Sequence, residues 1–217
     1  MAASTLRRSL TGASVGLLCL AAPLAAANNV QWADWTAAST GIAGSASGTI
    51  GSINVNFSGE LWGAQTAGGT NYWSPGTAYV SGSVWNPPPA SDILQCQGAT
   101  PNTYTITFSQ AVTNPYMAIC SLGTPGVLSV LTFNQPFTIL SQGPGYFGSG
   151  TMTQGAGNTL LGSEGYGVIQ FIGTMTSITW TDPQWERWHG YQVALVPAPG
   201  AAALLGLGSV LCGRRRR

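Results

Sequence analysis

The chain has no lysine among its 217 residues, and all seven of its basic residues are arginine. Six of these stand at the two ends, as Arg7, Arg8 and Arg214–Arg217. Between them only Arg187 opposes six carboxylates, Asp34, Glu60, Asp92, Glu164, Asp182 and Glu186, so the middle of the chain carries a net −5. A surface with one cation cannot neutralise a phosphate backbone, which excludes nucleic acid as a partner. There is one histidine, His189, and two of the four cysteines, Cys19 and Cys212, lie in the apolar end segments. That leaves no zinc pattern of paired Cys and His ligands, and no metal site is expected. The glycine clusters at 143–150 and 162–167 contain no lysine, so a phosphate-cradling loop is not indicated and no cofactor is expected. No helix of ten residues and no repeat of fixed period is visible between the ends, which argues against propellers and solenoids.

Both ends read as processing segments. Arg7 and Arg8 precede an apolar stretch, Val15–Leu24, and three alanines, Ala25–Ala27, offer a cleavage site before Asn28. This is the pattern of a secretory signal peptide over residues 1–27, and it implies export. At the other end, residues 196–217 run Val196-Pro197-Ala198-Pro199-Gly200, then the uncharged Ala201–Gly213, then Arg214, Arg215, Arg216 and Arg217. The 13 apolar residues fall short of the ~20 that a spanning helix needs. A terminal arginine block would stay on the cytoplasmic side.

This tail resembles the PEP-CTERM sorting signal of bacterial surface and exopolysaccharide-associated proteins. The resemblance rests on Val196, Pro197, Pro199, Gly200, the apolar run and the four arginines; Ala198 stands where that signal has glutamate. It implies an exosortase-type enzyme as a partner, a C-terminal helix in the membrane at least transiently, and a destination at the cell surface or extracellular matrix. The middle of the chain is also similar to domains found ahead of such tails, through Thr105–Ser109, Asn114-Pro115 and Trp188-His189-Gly190.

Residues 28–195 are expected to form one all-β domain, an antiparallel β-sandwich or jelly-roll. Thr103–Phe108 alternates Tyr104, Ile106 and Phe108 with threonines, and Ser52–Phe57 alternates Ile53, Val55 and Phe57 with polar residues. Period two marks half-buried strands. Tyr116–Leu122 is apolar throughout and reads as a strand buried on both faces. Strands are also expected at 79–85, 127–133, 137–140, 168–172, 177–181 and 189–196, with a long aromatic-bearing loop at 63–76. Cys96 and Cys120 are an even pair in an exported domain, so a disulfide is expected, with two buried free thiols as the alternative.

The densest polar group is Asp182, Glu186, Arg187 and His189. Asp182 and Glu186 are candidates for the carboxylate pair of a glycoside hydrolase, and His189 for a general base. The competing reading makes them turn and loop residues around a packed histidine. Asp92, Glu164 and Asp182 offer loop oxygens for calcium, without an Asp-x-Asp set to support it. Trp73, Trp185 and Trp188 are candidate sugar-stacking residues, since an aromatic face suits the apolar face of a sugar ring. The expectation is a non-enzymatic, structural or exopolysaccharide-contacting protein, with a secreted glycoside hydrolase as the rival. Ice or surface adhesion is a third reading, and no regular Thr-x-Thr ladder is visible to support it.

Overall fold

The computed structural model describes residues 29–99 and 103–197. The signal segment and most of the sorting motif (Pro199, Gly200 and Arg214–Arg217) lie outside them, while Val196 and Pro197 are the last described residues, both exposed.

The described chain is built of fifteen strands and one short 3-10 turn, Gly76–Tyr79. The strands form two antiparallel sheets. The seven-stranded sheet runs in the order β10 (Phe137–Gln142), β13 (Gly165–Phe171), β8 (Tyr116–Leu122), β15 (His189–Leu195), β6 (Asp92–Cys96), β5 (Gly63–Thr66), and β1 (Gln31–Trp32) also pairs with β15. The eight-stranded sheet runs β11 (Thr151–Gln154), β12 (Thr159–Ser163), β9 (Ser129–Phe133), β14 (Thr174–Thr181), β7 (Thr103–Thr113), β4 (Ile53–Leu61), β3 (Gly41–Ile50), β2 (Asp34–Ser39).

The alternation expected from sequence places the core. Val55, Phe57, Tyr104, Ile106, Phe108, Ile178 and Trp180 point inward from the eight-stranded sheet and meet Leu94, Met117, Ile119, Tyr191 and Val193 from the other. Tyr104 stacks on Trp180 with centroids 5.4 Å apart, and Tyr191 meets the same indole edge-on at 5.3 Å. The outward residues of the eight-stranded sheet form rows of uncharged polar side chains. Ser45, Ser58, Thr105 and Thr179 lie side by side in register, as do Ser47, Asn56, Thr107 and Ser177. Thr-x-Thr spacing on β7 is thus continued across neighbouring strands, an array that no single stretch of sequence displays.

The inner strands of the seven-stranded sheet are buried on both faces. All seven residues of β8 and all seven of β15 are buried. On the side away from the other sheet, Tyr116, Ala118, Cys120, Val168 and Ala194 form a second core with Val30, Trp73, Ala78, Tyr79 and Val84. The segment after β5 provides this cover. It also corrects the strand expected at 79–85: these residues lie on the sheet instead of pairing with it, and turn at Ser81, whose Oγ accepts from the Ser83 and Val84 amides.

The two cysteines are free thiols, not the expected disulfide. Cys96 on β6 and Cys120 on β8 both lie beside β15, opposite His189 and Gly190 respectively. Two strand spacings separate them by roughly 9–10 Å, beyond the ~7 Å limit for bridged Cα atoms. They also face opposite ways, Cys96 into the core between the sheets and Cys120 into the outer one.

The chain passes from one sheet to the other at Ala33, between β1 and β2. Gln192 fixes this crossing: its side-chain N–H donates to the Ala33 carbonyl at 2.8 Å, and its Oε1 accepts from Trp35 Nε1 at 2.8 Å. Asp92 Oδ1 accepts from the Trp35 amide at 2.8 Å. Gln192 is fully buried, so its loss would strand both partners without water.

Two outcomes are expected. Gln192→Leu should lower the unfolding free energy by about 2–4 kcal/mol, from two buried groups left unpaired, read as a fall in the urea midpoint. Burial and the nearby Glu164 carboxylate push the Cys120 thiol up to about 12, against a lowering contact from Tyr79. Cys96 is likewise raised by burial first, then by Glu60 and Asp182. Iodoacetamide at pH 8.5 should therefore leave both intact in the folded protein and modify both in denaturant without prior reduction, as peptide mapping would show.

Candidate functional site

Two places gather the residues singled out from sequence: a buried acid–histidine trio and an exposed aromatic patch.

The trio lies on the connection from β14 to β15, which links the two sheets. Asp182 follows the last residue of β14, and His189 is the first of β15. The intervening loop is tied to the segment after β6: the Ala99 amide donates to Asp182 O at 2.9 Å, the Glu186 amide to Gln97 O at 2.8 Å, and Gln97 Nε2 to Arg187 O at 3.0 Å. Gly98 makes the approach possible, because a Cβ there would lie 2.3 Å from the Gln184 carbonyl and 2.9 Å from Asp182 Oδ2. Its φ of +71° also favours glycine.

These ties turn the acids inward. Asp182, Glu186 and His189 are 0, 2 and 0 % exposed. Glu186 Oε1 accepts from the Gly123 amide at 3.0 Å and Ser129 Oγ at 2.9 Å, and lies 2.7 Å from His189 Nδ1. On the other side of the ring, His189 Nε2 lies 3.3 Å from Asp182 Oδ2. Burial lifts the Asp182 carboxyl to about 6, with Glu186 adding to the rise and His189 opposing it. For His189, burial disfavours the proton, but the Glu186 hydrogen bond and the charges of Asp182, Glu186 and Glu60 outweigh it, leaving a raised value.

Asp182, Glu186 and His189 are therefore brought together, as the sequence suggested, but as an enclosed network instead of an open pair beside a cleft. Arg187 and Trp185 on the same loop face solvent. Two further acids named from sequence are engaged elsewhere: Asp92 in the Ala33 crossing, and Glu164 in the support of the aromatic patch.

That patch consists of Tyr72, Tyr146, Phe147 and Trp188. Tyr72 lies 4.8 Å from Trp188 and 5.1 Å from Tyr146, while Phe147 lies 5.2 Å from Trp188 and 4.9 Å from Tyr146. Tyr146 and Phe147 are 46 and 53 % exposed. Three connections supply the rings: the cover segment, the loop between β10 and β11, and the residue before β15.

Buried polar groups hold the patch in place. The Phe147 amide donates to Tyr166 Oη at 3.1 Å, Tyr166 donates to Glu164 Oε1, and Ser121 Oγ donates to the same oxygen at 2.8 Å. Trp188 Nε1 donates to Gln95 Oε1 at 3.0 Å. Gly145 lets the loop lie on Tyr166, since a Cβ there would fall 2.0 Å from that ring.

Of the three tryptophans expected to stack on sugars, Trp188 belongs to the patch and Trp185 is exposed apart from it. Trp73 is instead buried at 2 % exposure, its Nε1 donating to Asp92 O at 3.1 Å and its ring meeting Tyr79 edge-on. Tyr72, Tyr146 and Phe147 are the members not named as site residues from sequence. Their signal was aromatic residues set in glycine-rich loops, where a core has no use for them.

Tyr166→Phe removes both the acceptor for the Phe147 amide and the donor to Glu164. It should cost about 1–2 kcal/mol, measured by urea denaturation, and loosen the 143–150 loop in hydrogen exchange. No family model matches this chain, and no curated protein or solved structure is significantly similar to it.

Proposed function

We propose that this chain is an exported protein of the cell surface or extracellular matrix, delivered by an exosortase-type system, that holds polysaccharide without transforming it. The observation that carries the binding part is the four-ring patch, with Tyr146 and Phe147 exposed and Tyr72 and Trp188 half-buried behind them, braced from beneath by buried hydrogen bonds. Rings locked in place lose little entropy when a sugar stacks on them, and each adds the affinity of an apolar face to a C–H-rich sugar face. The body around it carries few charges and a net −5, which suits a neutral glycan and disfavours an acidic one. The two paired sheets are read as a jelly-roll-like sandwich flanked by the signal helix and the C-terminal helix, both removed or membrane-held at the destination.

The glycoside hydrolase alternative is less favoured. Its two carboxylates face each other across His189 with no solvent-exposed surface of note. A substrate sugar would have to displace the loop that carries them. The in-register hydroxyl rows on the eight-stranded sheet favour a second contact mode, adhesion of that face to an ordered hydrated surface.

The test is retention of the protein on immobilised exopolysaccharide from a bacterial matrix. Replacing Tyr146 and Phe147 together by alanine should weaken retention at least tenfold with the melting temperature unchanged. Trp85→Ala, at an exposed tryptophan outside the patch, should leave retention intact. Equal retention of all three proteins, or no retention of any, refutes the binding role.

A further inference from the structure

Among the described residues the only ion pairs are those of His189. Arg187, the one strong cation of the middle region, points to solvent on the same loop. Two buried carboxylates, Asp182 and Glu186, therefore share a single imidazole, and Glu60 adds a third negative charge nearby on β4. Even with both imidazole nitrogens protonated, the enclosed group is short of positive charge. Burying such a deficit without a partner costs several kcal/mol.

The unpartnered atoms fall in a pattern. Glu186 Oε1 is saturated by three donors, whereas Asp182 Oδ2 and His189 Nε2 are shut away from water with only each other, 3.3 Å apart, and Asp182 Oδ1 is buried with no hydrogen-bond partner. Glu186 Oε2 and the Tyr191 hydroxyl are also unpartnered and buried. One ligand atom from each of Asp182, Glu186 and His189 lies within 4.8 Å of the others.

This is the donor arrangement of a carboxylate–histidine–metal relay, in which a carboxylate on one ring nitrogen orients the other nitrogen toward a cation. The 3.3 Å between His189 Nε2 and Asp182 Oδ2 agrees with it, since zinc bonds of about 2.0–2.1 Å place neighbouring tetrahedral ligands about 3.3–3.4 Å apart. The glycine at 98 keeps the flank of Asp182 Oδ2 free of a side chain.

We propose that Asp182 and His189 Nε2 are two of the ligands of a buried divalent-metal site, that the unpartnered Glu186 Oε2 and Tyr191 hydroxyl are the oxygens of the enclosure left to complete it, and that Glu186 Oε1 orients the imidazole through Nδ1. Mixed nitrogen and carboxylate donors suit zinc. The cation supplies the missing charge and ties β14 to β15, hence one sheet to the other. Its role is structural: the loop closes over it and leaves no place for a substrate.

The experiment uses the full-length chain, produced without an affinity tag, incubated with zinc and then freed of loose metal by gel filtration. Plasma mass spectrometry should find about one zinc per chain. Asp182→Asn and His189→Gln should each lower bound zinc at least tenfold, and Glu186→Gln should lower it less. Cobalt(II) in place of zinc should give visible d–d bands that His189→Gln abolishes. Should the variants fail to fold, the wild-type protein alone decides, through a melting temperature that rises with zinc and falls with a chelator. Zinc content equal in wild type and His189→Gln, or a wild type with no retained zinc, no cobalt bands and no zinc-dependent melting shift, overturns the proposal.

Discussion

Burial of the inner strands of the seven-stranded sheet on both faces governs the rest of the molecule. A strand between two cores can give water neither its side chains nor its backbone, so every polar group on it needs an internal partner. β15 shows the consequence most clearly. Its histidine meets two acids, and its glutamine at 192 spends both ends of the amide on the Ala33 crossing. The same burial sends the cysteines of β6 and β8 to opposite sides and keeps their sulfurs on backbone carbonyls, Glu60 O and Tyr72 O. It also requires a cover for the outer face, and the segment after β5 becomes one.

The two candidate sites are joined through this sheet. The patch rests on Tyr166, Glu164 and Ser121, which belong to or adjoin β13 and β8, and Trp188 immediately precedes the histidine of the trio. One loop, residues 182–188, therefore carries both the enclosed acids and an indole of the patch. Whatever fixes His189 also fixes the position of the neighbouring indole, and Trp188 adds its own bond to Gln95 on β6.

Much of the fold was legible because period-two alternation is a local signal. Thr103–Phe108 and Ser52–Phe57 declared their faces, and the unbroken apolar run Tyr116–Leu122 declared that both of its faces were covered. What covers them was not legible. Residues 79–85 are as apolar as a strand because they press on one, and Trp73 is as aromatic as a ligand platform for the same reason. Which thiol points to which face depends on strand order, a property set by pairings far apart in sequence. The acids of the 182–189 segment read as loop charges because nothing local shows Gly123, Ser129 and Gln97 reaching them from three other segments. The hydroxyl rows are not legible for a related reason, since each strand supplies only a part of them.

Arg187 gives the scarcity of charge a last meaning. It is exposed, and between Arg8 and Arg214 it is the only residue that a trypsin-like protease recognises. Its neighbours in the chain lead directly into β14 and β15, which belong to different sheets and are each paired to strands from elsewhere. A cut there would nick the protein without releasing a fragment. The middle of the chain thus offers proteases of that class one target, placed where cleavage leaves both sheets standing.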